Sequence, residues 1–416
     1  MKKLLPKLLV ALAASVLALA AGELLARRVY YPAPVRELGA RALWLRYSGM
    51  YTEEVQDNGC TYSDEVVPHP YLMYVHKHDF TGCGPDLTQR LGMQSRYPYP
   101  MERDPEHFSV LILGGSVAHL LGIGSWRDGR IWLEDALNAG YRSPNGKPFR
   151  VFSGAEGGWL LPIQNNVITL AGDSFDAYIA VDGFNEALNT KLGMSIDRVP
   201  APMYAFLVDP ADAPPGLKAL WWLKTYRRFC FRSGLARRSF LAYLFFEKGI
   251  ALMSRDKAYR KFLEERVGWY FRLPEEWDKA KRDAWNRRKY ETYIKLQAAQ
   301  AHAVDALYAH FVQPIHEIGK PLSEDEKRLP SLIAAQDYRD VMMPASEDLR
   351  GKGFPSFLLT DVFKDSKETL YSDHIHCRVT PQGDSPGYEL ISKRIAALLG
   401  EAWHLKKIRP SSGARR

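Results

Sequence analysis

Five short apolar segments recur along the chain, and each is followed by a glycine, a proline or a polar residue. In chain order they cover 108–113, 149–152, 177–181, 309–312 and 356–359. Apolar residues recur at helical spacing over 163–171, 277–308 and 388–399. Short buried strands that alternate with helices are typical of a parallel sheet with helices on both faces. The pattern therefore predicts an α/β fold, a three-layer sandwich whose ligands bind beyond the carboxyl ends of the strands.

The N-terminus carries the longest apolar stretch of the chain, over 8–22, and Glu23 follows it. The stretch is preceded by Lys2, Lys3 and Lys7. A helix over 8–26 would be about 28 Å long at ~1.5 Å per residue, close to the thickness of a hydrocarbon core. The pattern favours an uncleaved signal anchor over 1–30, with the body outside because the positive flank stays in the cytoplasm. The alternative is a removed signal peptide with its cleavage site at 18–20.

Composition and charge narrow the class of protein. A content of 46% hydrophobic and 25% charged residues is globular, which excludes disordered, collagen-like and polytopic membrane chains. The net charge is +8, and residues 217–290 alone hold 20 lysines and arginines against 8 acidic residues. With an export signal present, this suits anionic phospholipid or an acidic glycan more than nucleic acid. We predict a helical insertion at about 200–290 that buries its aromatics in its own core; the alternatives are a helix pair on the membrane surface or a roof over the site.

Cysteine usage agrees with export. Cys60 and Cys83 lie in a stretch rich in glycine, aspartate and proline, where a disulfide would form in an oxidising compartment. Cys230 and Cys377 have no obvious partner and are predicted to be free. The irregular segment 31–105 also lacks the spacing of a metal site, so we predict that its histidines lie at the surface. These histidines are His69, His76 and His78.

The first predicted strand runs into the sequence Gly114-Gly115-Ser116-Val117-Ala118. The glycines permit a tight turn, and Ser116 would project its hydroxyl from the sheet edge at the start of a helix. The motif lacks only the second glycine of the G-x-S-x-G elbow of α/β-hydrolases, where Ala118 stands instead. A Gly-Ser turn after a strand is in most proteins only a helix N-cap. Ser116 is therefore a candidate nucleophile that needs a base.

A candidate base comes from Asp373-His374-Ile375-His376, just before the last predicted helix. An aspartate three residues ahead of a histidine can place its carboxylate on the Nδ1–H of the imidazole. That contact holds the tautomer and supports the imidazolium formed when the other nitrogen accepts a serine proton. We expect His374 to turn elsewhere. A metal site that used Asp373, both histidines and Cys377 would be strained by such close spacing, so no metal is predicted.

Two further strand ends offer hydrogen-bond donors. Gly158 follows the second predicted strand with a backbone N–H, and Asn185 follows the third with a side-chain amide. With the N–H of Ser116 they would make three donors for a developing oxyanion, each worth about 3–4 kcal/mol of barrier in acyl transfer. Taken singly, Gly158 is more simply explained by a turn and Asn185 by a helix cap. Gly154 and Gly157 compete with Gly158 for its assignment.

The ordered set is more specific than its parts, and it resembles the SGNH hydrolases, also called GDSL esterases or lipases. That family is similar in having a serine after the first strand, a glycine after the second, an asparagine after the third and Asp-x-x-His before the last helix. The matching residues are Ser116, Gly158, Asn185, Asp373 and His376. The resemblance covers about 108–399 without the insertion. It implies an SGNH, flavodoxin-like fold, a triad of Ser116, Asp373 and His376, and oxyanion donors at Gly158, Asn185 and Ser116.

Three positions depart from the family pattern, and none would touch a reacting atom. Gly115 replaces the aspartate of the Gly-Asp-Ser signature, Glu186 the usual aspartate after the asparagine, and Cys377 the frequent proline after the histidine. Several further features look like anchored SGNH proteins of bacterial exopolysaccharide and cell-envelope loci. They are the N-terminal anchor and the segments 69–74 (His-Pro-Tyr-Leu-Met-Tyr), 91–93, 112–118, 312–314 and 319–323 (Gly-Lys-Pro-Leu-Ser). The predicted division is an anchor at 1–30, an irregular extracytoplasmic segment at 31–105, the hydrolase domain at 106–405 and a disordered tail at 406–416.

From these residues we expect an exported serine esterase that removes O-acyl groups, acetyl first of all, from a glycan or another small ester through an acyl-serine intermediate. Two alternatives stay open: an O-acyltransferase to polysaccharide that uses the same residues, and a non-catalytic envelope assembly protein. The expected partners are an acylated saccharide or small ester and the membrane, not nucleic acid. No cofactor is implied, since neither a Walker phosphate loop nor a G-x-G-x-x-G fingerprint is present. The expected location is the periplasmic face of a bacterial inner membrane, or outside the cell if the signal is cleaved.

Overall fold

The chain forms two units, and neither is continuous in sequence. The computed structural model describes residues 4–31, 36, 39–40, 44, 66–76, 87–125, 128–198, 215–254, 271–329, 335–380 and 382–408. Unit 1 comprises Met1–Val66, Phe80–Pro85 and Leu207–Arg266. Unit 2 comprises Val67–Asp79, Asp86–Phe206 and Val267–Arg416. Each unit is described by itself below.

The regular elements follow in chain order. The strands are β1 (Val66–His69), β2 (Met73–His76), β3 (Phe108–Gly114), β4 (Tyr141–Arg142), β5 (Phe149–Ala155), β6 (Ala177–Asp182), β7 (Leu307–Val312), β8 (Ser356–Leu358) and β9 (Lys406–Lys407). The helices are α1 (Leu4–Leu25), α2 (Ser116–Ile123), α3 (Trp132–Gly140), α4 (Leu161–Ala171), α5 (Phe184–Lys191), α6 (Pro215–Arg232), α7 (Phe240–Ser254), α8 (Lys279–Ala303), α9 (Met343–Gly351) and α10 (Pro386–Ala402). Shorter helical turns are Ala26–Tyr30, Arg90–Gly92, Ala236–Arg238, Glu326–Arg328, Ala335–Asp337 and Tyr338–Met342.

A five-stranded sheet organises unit 2, with the strand order β5-β3-β6-β7-β8 and every neighbouring pair parallel. Every residue of β3 and of β6 is buried, as expected for parallel strands that are covered on both faces. The chain adds β5 on one side of β3 and then β6 on the other side. The order of the strands therefore reverses between β3 and β6, and such switch points are where ligands bind in open α/β sheets.

Helices cover both faces of this sheet. On one face, α2, α3 and α10 share a core with Val110, Ile112 and Ile179. On the opposite face, Tyr308 of β7 donates a 2.7 Å hydrogen bond to Gln297 of α8, and α4 packs beside α8. The predicted α/β fold, with a parallel sheet between helices, is confirmed at this level.

The longest predicted helix and the predicted C-terminal tail differ most from the observed boundaries. The helix predicted over 277–308 begins later, at Lys279, and ends at Ala303, because Asp305 takes a positive φ of 54° that reverses the chain into β7. The tail predicted to be disordered from 406 begins with the short strand β9, which pairs antiparallel with β4. Residues 409–416 lie outside the described part of the chain.

Glu23 connects the N-terminal helix to the insertion inside unit 1. Its carboxylate accepts hydrogen bonds from the hydroxyl of Ser239 at 2.7 Å and from the N–H groups of Phe240 and Leu241 at 2.9 and 3.0 Å. These groups lie at the start of α7, where free N–H groups and the helix dipole favour an acidic partner. The acid that interrupts the apolar stretch thus caps a helix more than 200 residues away.

The aromatic residues of the insertion are only partly buried. Phe240, Tyr243 and Phe246 pack with the N-terminal residues Tyr31 and Trp44 in one buried cluster. The prediction that the insertion has a core of its own is therefore wrong in one respect, since N-terminal residues supply part of that core. Among the side chains of the insertion that the structure describes, those of Trp222, Phe229 and Phe245 are more than half exposed.

The predicted export depends on the N-terminal helix and on the cysteines. Helix α1 forms, but no helix among the described residues is both long and apolar enough to cross a membrane. The predicted N-terminal membrane helix is thus not supported. The predicted Cys60–Cys83 disulfide lies outside the described residues, whereas Cys230 and Cys377 are buried free thiols, as predicted. The extracytoplasmic location stays a prediction.

The segment that leads into the insertion and the segment that returns from it are joined within unit 2. Met194 and Arg272 form an antiparallel bridge, and the N–H of Ser195 donates to the carbonyl of Phe271 at 2.9 Å. Asn286 of α8 holds the outgoing segment through a 3.0 Å bond to the carbonyl of Met194. The two ends of the segment 199–270 are therefore fixed close together.

Candidate active site

Glycines position Ser116 at the switch point between β3 and β6. Gly114 has a φ of 145°, and a Cβ there would lie 2.1 Å from the carbonyl oxygen of Val181, so only glycine fits. A Cβ on Gly115 would lie 2.6 Å from Nδ2 of Asn185, so the glycine lets this amide approach the serine turn closely. Ser116 begins α2 and is half-buried. Its N–H lies in the first turn of a helix, where backbone donors have no intrahelical acceptor.

The structure brings Ser116, His376 and Asp373 together. Nε2 of His376 lies 2.6 Å from Oγ of Ser116, although the two residues are 260 positions apart. Nδ1 of His376 lies 2.7 Å from Oδ2 of Asp373. The side chains of His376 and Asp373 are 13% and 34% exposed, so the contact is sheltered but open to a ligand. This geometry suits proton transfer from a serine hydroxyl to an imidazole oriented by a carboxylate.

The loop that carries the acid and the base is held by its own backbone. Oδ1 of Asp373 accepts the N–H groups of Ile375 and His376 at 2.8 and 2.7 Å, and an antiparallel bridge joins Tyr371 to Cys377. Burial alone would raise the pKa of Asp373. The hydrogen bond and charge of His376, together with the two N–H groups, outweigh burial and lower that pKa to about 2. Asp373 is therefore ionised near neutral pH and fixes a proton on Nδ1.

A buried ion pair supports the start of this loop. Glu326 accepts the N–H groups of Leu370 and Tyr371 at 2.9 and 3.0 Å, and its other oxygen lies 2.7 Å from Nζ of Lys320. Neither charged side chain exposes any surface. Burial raises the pKa of Glu326, but the bond to Lys320 and the N–H groups outweigh it and lower the pKa to about 2. Sequence reasoning missed this role, although Lys320 lies in the segment 319–323 that carries part of the family resemblance.

His374 turns away from the relay, as predicted. Its ring lies 5.2 Å from the ring of Phe184, and its carbonyl accepts bonds from the N–H of His316 at 3.2 Å and from Nδ1 of the same residue at 3.1 Å. Burial lowers the pKa of His374, and the nearby Asp373 opposes that shift. These groups border a shallow surface depression with no enclosed space for a water molecule, lined by Phe184, Ile315, His316, Glu317 and His374.

The loop 156–159 after β5 distinguishes between the three candidate glycines. Gly154 lies inside β5 and pairs with β3. The N–H of Gly157 donates to the carboxylate of Glu156 at 2.8 Å, and the N–H of Trp159 donates to the carbonyl of Glu156 at 3.1 Å. The N–H of Gly158 finds no acceptor among the residues that the structure describes. Gly158 is therefore the one of the three with a free backbone donor, which fits the predicted assignment.

Asn185 is held against the serine turn by one of its two amide hydrogens. Nδ2 donates to the carbonyl of Trp159 at 2.9 Å. The same nitrogen would lie 2.6 Å from a Cβ placed on Gly115, so the amide lies beside the residue that precedes Ser116. The second hydrogen on this nitrogen remains available to a ligand, because a primary amide has two.

Glu186 connects the helix of Asn185 to the neighbouring helix. Its carboxyl oxygens accept the N–H of Gly183 at 3.0 Å and the N–H of Leu161 at 3.1 Å, at the starts of α5 and α4. Burial, with the charge of Asp182, raises the pKa of Glu186 to about 8. The acid that replaces the family's aspartate thus fixes where α5, and with it Asn185, begins.

A second serine–histidine–aspartate set lies in the core of unit 2. Oγ of Ser356 lies 2.8 Å from Nδ1 of His310, and Nε2 of that ring lies 3.2 Å from Oδ1 of Asp182. Ser346 continues the set with a 2.8 Å bond to Ser356, and Tyr290 donates to Asp182. The serine, histidine and aspartate side chains are at most 2% exposed. No ligand can reach this serine without opening the fold.

Sequence analysis also missed three residues around the 156–159 loop. His76, predicted to lie at the surface, is 3% exposed and pairs with Glu156, and the hydroxyl of Tyr74 donates to the carbonyl of Gly157. His69 accepts the N–H of Leu72 in a turn, and His78 lies outside the described residues. The available signal was the spacing of Tyr74 and His76, which puts two large side chains on one side of β2.

Neither a metal-binding group nor a known relative was found for this site. Among the described residues, no group of three or more histidine, cysteine or acidic side chains is arranged to hold a metal ion. Comparison with known protein families and with curated proteins found no match to this sequence. The resemblance to SGNH hydrolases therefore stays a prediction, carried by the residues described above.

Proposed function

We propose that this chain is a serine ester hydrolase of the SGNH type. The single observation that carries the proposal is the hydrogen-bonded series Ser116–His376–Asp373, with Nε2 of the imidazole 2.6 Å from the serine hydroxyl. The flavodoxin-like SGNH fold is part of the same proposal. The five-stranded parallel sheet with this order of candidate residues supports it.

The chemistry follows from the protonation states of these three side chains. Nε2 of His376 accepts the proton of Ser116 while Oγ attacks the ester carbonyl carbon. Asp373 stabilises the imidazolium that forms. The imidazolium then returns the proton to the departing alcohol, which leaves an acyl-serine. Water attacks that ester with the same base, so the products are a carboxylic acid, an alcohol and the free serine.

Three donors support the charged intermediate. The N–H of Ser116, the free N–H of Gly158 and the second amide hydrogen of Asn185 lie at the ends of β3, β5 and β6. Donors that are already oriented toward the developing negative charge stabilise the transition state more than the substrate. This difference is what lowers the barrier.

The substrate we propose is an O-acyl ester of a glycan, or another small ester, with a short acyl group such as acetyl. Both the short acyl group and the saccharide are inferred from the likeness of several segments, among them 69–74 and 319–323, to envelope-type SGNH proteins. They are the less direct part of the proposal.

Turnover of p-nitrophenyl acetate by the full-length protein tests the proposal. Ser116→Ala should lower kcat/KM by at least ~10³-fold, because it removes the nucleophile and leaves only the donors and the binding contacts. Circular dichroism and thermal unfolding serve as folding controls for the variant. Equal rates for the variant and the unchanged protein would contradict the proposal.

A further inference from the structure

Strand β2 lies outside the segments that carry the proposed catalytic groups, yet it contacts the 156–159 loop twice. Tyr74 and His76 are two positions apart on this strand and are 2% and 3% exposed. The hydroxyl of Tyr74 donates to the carbonyl oxygen of Gly157. The imidazole of His76 pairs with the carboxylate of Glu156, which accepts the N–H of Gly157 at 2.8 Å. Both peptide units that flank Gly157 are therefore held by groups outside the loop backbone.

The bond from Tyr74 fixes the peptide unit that matters for the proposed reaction. The carbonyl of Gly157 and the N–H of Gly158 belong to one planar trans peptide and point in opposite directions. A donor that keeps the carbonyl on one side therefore aims this N–H at the other. Two consecutive glycines offer little resistance to rotation, because neither has a Cβ. A rotated peptide would present a carbonyl oxygen where an oxyanion has to bind.

The pair formed by Glu156 and His76 acts on the preceding peptide. Burial raises the pKa of Glu156, but the charges of His76 and His119 and the bonds from His76 and Gly157 outweigh it and lower the pKa to about 2. An ionised carboxylate is a strong acceptor for the N–H of Gly157. This bond keeps that N–H occupied, so the loop presents the N–H of Gly158 alone.

We propose that Tyr74 is a positioning residue of the oxyanion hole, and that the Glu156–His76 pair holds the neighbouring peptide in support of it. The inference rests on the proposed ester hydrolase function, since it gives the N–H of Gly158 a part in that reaction. Tyr74 touches no reacting atom and acts through the peptide between Gly157 and Gly158.

Steady-state kinetics of Tyr74→Phe in the full-length protein test the inference with p-nitrophenyl acetate. Loss of a complete oxyanion donor lowers kcat by ~10²–10³-fold, and a donor that is present but poorly aimed loses part of that. We expect kcat to fall about 10- to 100-fold while KM stays within about twofold, because the aim of Gly158 matters in the transition state and not in substrate binding.

Tyr99→Phe is the matched control. Tyr99 is also buried and donates its hydroxyl to a backbone carbonyl, that of Ser153 inside β5, which does not belong to the 156–159 loop. Both variants remove one hydroxyl and one bond to a carbonyl, so their Tm values should fall by similar amounts. Only Tyr74→Phe should lose kcat, and Tyr99→Phe should stay within about twofold of the unchanged protein.

A second variant keeps the inference testable if Tyr74→Phe does not fold. Glu156→Gln retains an oxygen that can accept the N–H of Gly157 but loses the charge that pairs with His76. We expect a loss of kcat of a few-fold, again with little change in KM. Unchanged kcat in each folded variant, Tyr74→Phe and Glu156→Gln, would overturn the inference and leave the proposed function intact. If the unchanged protein turns over no faster than Ser116→Ala, the proposed function fails and this inference fails with it.

Discussion

Two serine–histidine–aspartate sets in unit 2 have similar bond lengths and opposite surroundings. The serine to histidine distance is 2.6 Å for Ser116 and 2.8 Å for Ser356. Ser116 is half-buried at the switch point of the sheet, in the first turn of α2. Ser356 is fully buried inside the sheet layer and shares its hydroxyl with Ser346. Hydrogen-bond geometry alone would rank the two sets almost equally.

The difference shows which surroundings a serine–histidine–aspartate set needs, besides its hydrogen bonds, before its serine can react with a substrate. The core set satisfies its polar groups with one another, which is the usual reason for hydrogen bonds in a protein interior. The set of Ser116 has an acid and a base on one partly exposed loop, and the N–H of Gly158, after the neighbouring strand β5, has no acceptor among the described residues. Access and unpaired donors, rather than bond lengths, therefore distinguish a candidate nucleophile from a structural serine.

Covalent labelling should separate the two serines completely. A fluorophosphonate reacts with an activated serine hydroxyl, so we expect one label per chain in the unchanged protein. Ser116→Ala should take up none. Ser356→Ala should still take up one, because the core serine is neither exposed nor next to an oxyanion site. The stoichiometry is measured by intact-protein mass spectrometry.

Loss of the label in a folded Ser356→Ala protein would contradict the claim that Ser116, and not Ser356, is the activated serine. Thermal unfolding of Ser356→Ala provides the folding control. Its loss of stability should be about 1–3 kcal/mol, since His310 and Ser346 would each lose a buried hydrogen-bond partner.

Replacing the aspartate of each set, Asp373 or Asp182, should give the next largest difference, measured as kcat. Asp373→Asn removes the charge that fixes the tautomer of His376, and we expect kcat to fall by up to ~10⁴-fold, as for this change in serine hydrolases generally. Asp182→Asn should leave kcat within about threefold and act on stability instead. Ester turnover and denaturant unfolding of both variants check this prediction. Similar losses of kcat from the two changes would show that the core set contributes to the reaction after all.

The smallest expected effect concerns the support beneath the exposed set. The pKa of Glu326 is about 2 in the folded protein, below its ordinary value of 4.5, so its contribution to stability is present above pH 4.5 and is lost as the pH falls toward 2. Glu326→Gln leaves Lys320 without its buried partner, and we expect a loss of about 3 kcal/mol at neutral pH. The variant should also lose less stability than the unchanged protein between pH 5 and pH 3.

Denaturant unfolding at pH 3, 5 and 7 measures both parts of that prediction. Asp325→Asn is the matched control, because Asp325 is the adjacent acid and its pair with Arg328 is exposed. Exposed pairs contribute about 0–1 kcal/mol, so the control should follow the unchanged protein at every pH. A Glu326→Gln variant that does the same would contradict the assigned role of the buried pair.

The groups closest to the proposed reaction could be predicted because each has a local signature. Gly-Gly-Ser after an apolar strand and Asp-x-x-His before a helix depend on neighbouring residues, and the structure joins Ser116 to His376 and Asp373 as those patterns require. The parallel sheet could be predicted for the same reason, since each strand is a short apolar run bounded by turn residues. Gly158 is assigned through the family resemblance, but the residues alone do not separate it from Gly157, because that difference depends on where Glu156 directs its carboxylate.

The remaining features depend on contacts between distant segments. Tyr74 reaches Gly157 across 83 positions, and Glu23 reaches Ser239 across 216. No local pattern marks either pair. The burial of His76 was missed for the same reason, since a histidine at the end of a short strand looks exposed until its acidic partner is known. The core set around His310 was hidden because its members lie on three strands.

The bridge between Met194 and Arg272 has a consequence for how this protein can vary. An inserted segment whose flanking residues are hydrogen-bonded to each other can become longer or shorter at little entropic cost. The entropy of loop closure depends only weakly on loop length. Replacement of 199–270 by a tight turn should therefore spare the sheet and the serine beside it. Because the flanking residues are paired in this way, the length of the insertion can change while the sheet of unit 2 stays the same.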